Sequence, residues 1–406
     1  MATNFDLTAA NAVLKELYFG QTPENLVYRT NPLLAMIPKK TDAGGKYVPA
    51  PIIVGASQGR SATFTNAQAN QSPVLAKEFL VTRVSDYSIA TIDNQTLLAT
   101  KGDKAAFVDG LKTVVDGAFR SATLSAASAL FRDGTGAIGT ISSISTGVIT
   151  LSNAADAVQF EVNQVLQVAT SAGGSARTAK GYVIAVDRTA GTVTVATSQG
   201  GSAATPTSWV ANDVIHGDGD IGAKMKGLAA WLPSTAPSSG ESFFGVDRSS
   251  DPVRLGGVRY AGTSQPIEEA LIDASMLLGR EGGMPEYCFM SFASYAALEK
   301  ALGAKVNYVN VEGPAGISFK GIRVYGANTE IKVMPDRNCP VATAYLLSLD
   351  SLKLISLNDV PHLFRYADGL EALRVYNQDA AEARVGYYGN LWCNAPGWNA
   401  VVTLAV

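Results

Sequence analysis

Two stretches of the chain match the glycine pattern G-x-G-x-x-G: Gly134-Thr135-Gly136-Ala137-Ile138-Gly139 and Gly217-Asp218-Gly219-Asp220-Ile221-Gly222. In its phosphate-binding form that pattern follows a strand and opens a helix, so that helix N–H groups meet a pyrophosphate. Here the first match ends a helix-like run and neither lies in a strand–helix–strand unit, so linker glycine is the favoured reading. His216, Asp218 and Asp220 have the residue types of a cation loop. The series stops without a third acid or a closing Glu at calcium-loop spacing, and reads as a solvated turn. His216 and His362 are the only histidines, which excludes a multi-histidine metal site and gives a Ser-His-Asp triad little to work with. The acid pairs Glu268-Glu269 and Asp379/Glu382 read as solvated faces. Cys288, Cys339 and Cys393 are far apart, odd in number and form no CxxC, so they read as free thiols. No GxSxG and no Walker GK[ST] occurs. The sequence offers no catalytic, cofactor or metal site, and the chain is read as no enzyme.

Composition points instead to buried surface. Charged residues are 17% of the chain and hydrophobic residues 47%, against about 25% charged in an average globular domain. Mean hydropathy is +0.12. So few charges, with no membrane segment to account for them, is the pattern of large obligate interfaces. A net charge of −3 gives no electrostatic footprint for nucleic acid, which needs clustered Lys and Arg. No apolar run approaches the roughly 18–20 residues that span a bilayer, and Met1 to Asp6 lacks the regions of a signal peptide.

The elements that would position any site follow from patterning. Thr8 to Leu17 can form a short helix through Leu7, Val13, Leu14 and Leu17. Asn31 to Pro38 is an apolar stretch fenced by prolines, too short for a core helix and expected to lie extended in a groove, its own or a neighbour's. Lys46 to Val54 reads as an edge strand because of its prolines, and Lys77 to Ile92 as a second extended run. Phe79, Val81, Tyr87 and Ile89 share one parity of that run. Between them Gly55 to Pro73 is a polar tip whose only charge is Arg60. A long hairpin arm of this kind cannot build its own core. Lys104 to Phe131 reads as the longest helix, with Phe107, Leu111, Val114, Ala118 and Ala122 at helical spacing. Its Gly110 and Gly117 are tolerable where neighbouring backbone packs closely.

Residues 137–219 change character. Short β-type runs at Val148–Leu151, Val162–Val168, Tyr182–Val186 and Thr192–Ala196, separated by turn residues, predict a small antiparallel barrel or sandwich. Phe160 to Leu166 and Trp209 to Ile215 share a pattern that marks two related hairpin segments. The remainder is α+β. Ser264 is expected to cap a helix through Leu278, with Pro266 in its first turn and Ile267, Ala270, Leu271, Ala274 and Leu278 as its buried stripe. Tyr287–Met290 reads as a strand, Ser291 as the cap of a helix to Leu302, and Gly303 as its stop. Strands follow at Ile322–Tyr325, Ile331–Met334 and Ala344–Leu349. Two more β-type runs flank Asn394-Ala395-Pro396-Gly397.

The order of these elements resembles the tailed-bacteriophage major capsid proteins of the Johnson, or Hong Kong phage-type, fold. Arg132-Asp133-Gly134-Thr135-Gly136 stands where that family ends its long helix in a glycine turn, and Lys226-Gly227-Leu228 where its next domain restarts. Asn31-Pro32-Leu33-Leu34 through Gly44-Gly45-Lys46-Tyr47-Val48-Pro49 resembles the family's arm-to-hairpin passage. The resemblance implies an N-terminal arm at 1–45, an E-loop at 46–93, a peripheral domain with a spine helix at 94–136, and an inserted β-barrel-like domain at 137–219. An axial domain would follow at 220–375, and 376–406 would return to the peripheral domain. It also implies pentamers and hexamers closing an icosahedral head around double-stranded DNA held non-specifically, in a virion assembled in the bacterial cytoplasm. The implied partners are a separate scaffolding protein, since no propeptide-like helix is seen, a portal and possibly a decoration protein. Leu33, Leu34, Ile37, Arg60, Phe64, Lys77 and Phe79 are the expected contacts to neighbouring subunits. Some relatives cross-link an E-loop Lys to an Asn, the parts Lys77 and Asn394 would take, but their spacing lends this no support. The alternatives are an encapsulin-like nanocompartment shell and a hydrolase with a β accessory module.

Overall fold

The computed structural model describes residues 31–94, 110–303, 306, 308–312, 318–326, 329–364 and 372–405. The expected helix at Thr8 to Leu17, and the start of the long helix at Lys104 with Phe107, lie outside these residues.

One mixed sheet joins, in spatial order, Val258–Gly262, Ala400–Leu404, Thr343–Leu347, Tyr287–Met290, Glu330–Pro335, Ser318–Tyr325 and Tyr308–Glu312. Its central strands read as continuous apolar runs because both faces are covered. Cys288 and Met290 face the helices Ile267–Arg280 and Phe292–Leu302, packing with Leu271, Ala274, Leu278 and Leu298. Phe289, between them, points the other way into the main core with Met334, Tyr345 and Val401. The stripe expected on the first helix is the buried one. Its start is not: Ser264 does not cap it. The cap residue is Pro266, without a side-chain hydrogen bond, because Gln265 N–H turns back to Gly262 O at 3.3 Å and Pro cannot continue that turn. Glu268 and Glu269 then occupy the first helical turn, where acids favour the helix dipole. Ser291 caps the second helix through Ser294 N–H, and Gly303 (φ 52°) ends it.

A second sheet is organised on the long strand Ala380–Cys393. Val84–Asp93 pairs along one side of it; Leu352–Ser356, His362–Leu363 and Ala372–Arg374 pair along the other. The helix Gly110–Phe131 lies on this sheet. Ala118 and Ala122 meet Ala90 and Ala383, small residues that let helix and strands approach closely. A Cβ on Gly117 would meet nothing within 4 Å, so the close backbone packing expected to justify that glycine is not there. The two sheets also divide differently from the expected boundary at 375/376. Leu352–Ser356 belongs with the long strand, whereas the last strand, Ala400–Leu404, sits inside the first sheet. The span 376–406 is shared between the two sheets: the break at Pro396–Trp398 passes the chain from one to the other.

The hairpin differs from its expectation in two ways. Val48–Gly55 pairs with Leu75–Val81 only, and Val84–Asp93 leaves to join the second sheet. The break falls at Thr82-Arg83, where the Arg83 guanidinium donates to Ala43 O at 2.5 Å and also to Gly45 O. The side-chain parity slips there. Phe79 and Val81 are buried, Tyr87 and Ile89 are exposed, and Ala90 and Ile92 are buried. Asn31 to Pro38 is not extended either: Pro32–Met36 forms one helical turn, with Pro at its first position where a missing N–H costs nothing.

Between the long helix and Leu228 the chain closes a barrel in the order Val214–Gly217, Ala137–Ser145, Val148–Leu151, Thr192–Ala196, Ala176–Asp187, Val165–Ala169. Ile141, Ile149, Leu166, Val183, Val193 and Ile215 fill it, and Phe160 and Trp209 are buried with them. The two pattern-related segments adopt the same turn. Asn163 (φ 70°) and Asn212 (φ 69°) both take the left-handed conformation that Asn tolerates.

Candidate assembly surfaces

The residues whose types could do chemistry are occupied in packing. His216 is buried in the barrel; its Nδ1 lies 3.1 Å from Val214 O and its Nε2 3.5 Å from Gly173 N. Nδ1–H donation with Nε2 as acceptor satisfies both contacts and makes the ring neutral, and burial pushes its pKa down. Asp218 pairs with Lys180 at 2.6 Å and Asp220 with Lys224 at 3.2 Å. Among the described residues no group of three or more metal-ligating side chains converges. Glu382 pairs with Arg384. All three cysteines are buried, and burial pushes their thiols up, that of Cys393 to about 12.

The two glycine motifs meet each other rather than a phosphate. They are the barrel's entry and exit. Gly222 N–H donates to Thr135 O at 2.9 Å, and a Cβ on Gly136 (φ +80°) would stand 2.3 Å from Asp220 O. The Lys226-Gly227-Leu228 restart lies against the end of the long helix. A Cβ on Gly227 would fall 2.2 Å from Ala129 O, and its N–H donates to Arg132 O at 2.9 Å. Beside this joint Lys224 Nζ reaches Asp86 Oδ1 at 2.9 Å and Ser125 Oγ at 3.0 Å, tying the exit to the strand and helix it crosses. Desolvation raises the pKa of Asp220 against the opposing pull of Lys224.

The expected subunit contacts separate into two groups. Leu33, Leu34, Ile37 and Phe79 are no more than 6% exposed; they belong to this chain's own core. The reason is local. Leu33 and Leu34 lie on the helical turn that faces the core, and Phe79 packs edge-on against Trp231 at 5.1 Å. These four pack within this subunit, so the base of the hairpin carries a core of its own. Lys77 is turned back as well: its Nζ donates to Asp247 O at 2.9 Å and Ser250 Oγ at 2.5 Å. Arg60 and Phe64 remain on the surface. Phe64 opens an exposed helical turn, Phe64–Ala69, at the tip and is 82% exposed. Ile53, Val74 and Leu75 of the same hairpin are each more than half exposed. Nothing in the sequence pattern marked this helical turn.

A second surface, exposed among the described residues, lies on one face of the strand pair Val84–Asp93 and Ala380–Cys393. Tyr87, Phe364 and Tyr388 cluster there with ring centroids 5.1–5.9 Å apart, in a groove of about 1120 Å³ that also takes in Thr41, Ile89, Asp359, His362 and Arg384. Gly386 lets the two strands and Phe364 approach closely, since a Cβ there would stand 2.1 Å from Asp86 O and 3.1 Å from the Phe364 ring. Sequence parity placed Tyr87 and Ile89 with the buried Phe79 and so hid this face.

No family model and no curated protein matches the sequence. The fold does match solved structures. The cyanophage A-1(L) capsid asymmetric unit contains a chain that superposes with a TM-score of 0.56 at 15% identity, over 94% of each chain. This is the α+β Johnson fold. The capsid of a native GTA particle (TM-score 0.48, 10% identity, 97% of this chain and 99% of that one) and the SrpI encapsulin of Synechococcus elongatus PCC 7942 (0.45, 7%, 99% and 96%) are also similar. Among the described residues the hairpin tip and the aromatic groove are exposed apolar surfaces.

Proposed function

We propose that this chain is the major capsid protein of a tailed bacteriophage, a structural subunit that assembles as pentamers and hexamers into an icosahedral head around double-stranded DNA. The observation that carries the reading is the likeness to a phage capsid chain over nearly the full length of both. The surface agrees with it. Among the described residues the hairpin leaves Phe64, Ile53, Val74 and Leu75 more than half exposed, and apolar surface of this kind marks a protein–protein contact. The low charge content, 17%, fits a molecule most of whose surface is buried in an assembly. On this reading the tip and the aromatic groove meet other subunits. On this reading the chain divides into arm, E-loop, spine helix and axial sheet with the barrel as an insertion, and its role is mechanical with no catalytic step. A separate scaffolding protein and a portal would join assembly in the host cytoplasm, a decoration protein is a further candidate partner, and DNA would be enclosed without specific contacts. Gel filtration of the protein expressed with its scaffolding partner tests this. Elution in the excluded volume as particles is expected; a single monomer peak under all assembly conditions overturns it.

A further inference from the structure

The loop that follows Glu330–Pro335 gathers three parts of the chain. Asp336 is only 1% exposed. Its Oδ1 accepts from Asn338 N–H at 2.9 Å and from Asn338 Nδ2 at 3.4 Å, and its Oδ2 faces the Leu33 amide at 3.4 Å, at the start of the helical turn Pro32–Met36. Asn338 Nδ2 also donates to Asn31 Oδ1 at 2.8 Å. The same loop reaches the barrel. The Arg337 guanidinium donates to Val158 O and stands 3.9 Å from Glu161, and Asn338 Oδ1 lies 3.5 Å from Gln159 Nε2. Next to it Arg132, at the end of the long helix, pairs with Asp156 of the barrel at 3.3 Å.

We propose that Asp336–Asn338 is a proton-operated clamp that couples docking of the N-terminal arm to seating of the barrel. Among the described residues the Asp336 carboxylate accepts hydrogen bonds from amide donors alone, so the closed clamp strips its water and leaves it the charge of Arg337 nearby but no salt bridge. A buried charge treated this way is costly, and the group responds by favouring its neutral form. The titratable and charged groups around it are Arg337 and Cys339 on its own loop, Arg132 on the long helix, Asp156 and Glu161 on the barrel, and Cys288 and Tyr345 on adjoining strands; from the described arm come the Leu33 amide and the Asn31 side chain. Burial pushes Asp336 up to about 6, against an ordinary value of 3.8, with the amide bonds and Arg337 opposing. An open clamp readmits water and returns the acid toward its ordinary range. The closed state therefore binds the proton more tightly. Closure is strongest at low pH, weakens as pH rises from the ordinary value to about 6, and is level above that. Across that window the closed-to-open ratio changes roughly tenfold per pH unit. Mild acid locks arm and barrel together; neutral conditions loosen both. The inference concerns the subunit itself and stands apart from the shell reading.

The test is hydrogen exchange on the full-length chain from pH 5 to pH 8, with rates normalised to the unstructured chain. Protection of the Leu33–Ile37 amides and of the Ala155–Phe160 amides should fall together, by roughly tenfold between pH 5 and pH 7, and stay level to pH 8. Asp336→Asn, which mimics the neutral acid, should be protected and flat across the range. Asp156→Asn should keep the fall, since that acid, also raised by burial, is not the switch. A flat profile in the unaltered protein overturns the proposal. So does a fall that survives Asp336→Asn, one that Asp156→Asn abolishes, or one confined to the arm while the barrel stays constant. Where Asp336→Asn fails to fold, the unaltered and Asp156→Asn profiles still decide.

Discussion

Replacing Phe79 by Ala and, separately, Phe64 by Ala separates folding from assembly within one hairpin. The Phe79 ring is fully buried, with edge contacts to Trp231 at 5.1 Å and Phe243 at 6.0 Å. Removing such a ring costs about 3–5 kcal/mol, a large share of the stability of a typical domain. Phe64 is 82% exposed, so its loss should change the unassembled subunit by less than about 0.5 kcal/mol. In a shell the balance reverses for Phe64. Covering that ring against a neighbour contributes about 2 kcal/mol per contact, or roughly thirtyfold in the contact's equilibrium constant, and the contact recurs on every subunit. Urea melts of the unassembled subunit and particle yield by sedimentation read the two effects. Phe79→Ala should unfold early; Phe64→Ala should melt normally and assemble poorly. The reasoning fails if Phe64→Ala destabilises the subunit as much as Phe79→Ala, or if it leaves particle yield untouched.

Gly117 lies in the interior of the long helix with open space around its missing Cβ, so Gly117→Ala should stabilise the unassembled subunit by about 0.5–1 kcal/mol in a thermal melt; destabilisation would mean a neighbour packs there. His216 is neutral and buried with a lowered pKa, so the native barrel binds fewer protons than the unfolded chain. Its contribution is complete at and above neutral pH and is lost as pH falls below the ordinary histidine range, and His216→Gln should flatten that part of the barrel's melting profile. The three buried thiols should react with a thiol reagent at pH 8 only at the rate of unfolding, so labelling that outruns unfolding would contradict their placement.

Where local periodicity and final burial agree, the sequence was a good guide. The Ile267–Leu278 stripe, the Ser291 cap with the Gly303 stop, and the repeated Asn163 and Asn212 turns are set within a few residues of themselves. The misses arise where a distant partner decides. Leu33, Leu34, Ile37 and Phe79 look like surface for a neighbour because their covering residues, such as Trp231 and Phe243, lie far along the chain. The slip at Thr82-Arg83 depends on carbonyls at Ala43 and Gly45 accepting one guanidinium, which no alternation pattern encodes. The strand Ala400–Leu404 enters the first sheet because Val258–Gly262 and Thr343–Leu347 leave a slot between them. The glycine motifs read as linkers, and their crossing at Gly136 and Gly222 is a contact between segments more than eighty residues apart.

Electron microscopy of the purified protein, expressed with and without a scaffolding partner, addresses the shell reading most directly. Closed icosahedral particles with pentameric and hexameric units, each hairpin tip lying on an adjacent subunit, are the expected result. Monodisperse monomers under both conditions, or particles in which the Phe64 tip touches only its own subunit, would contradict it.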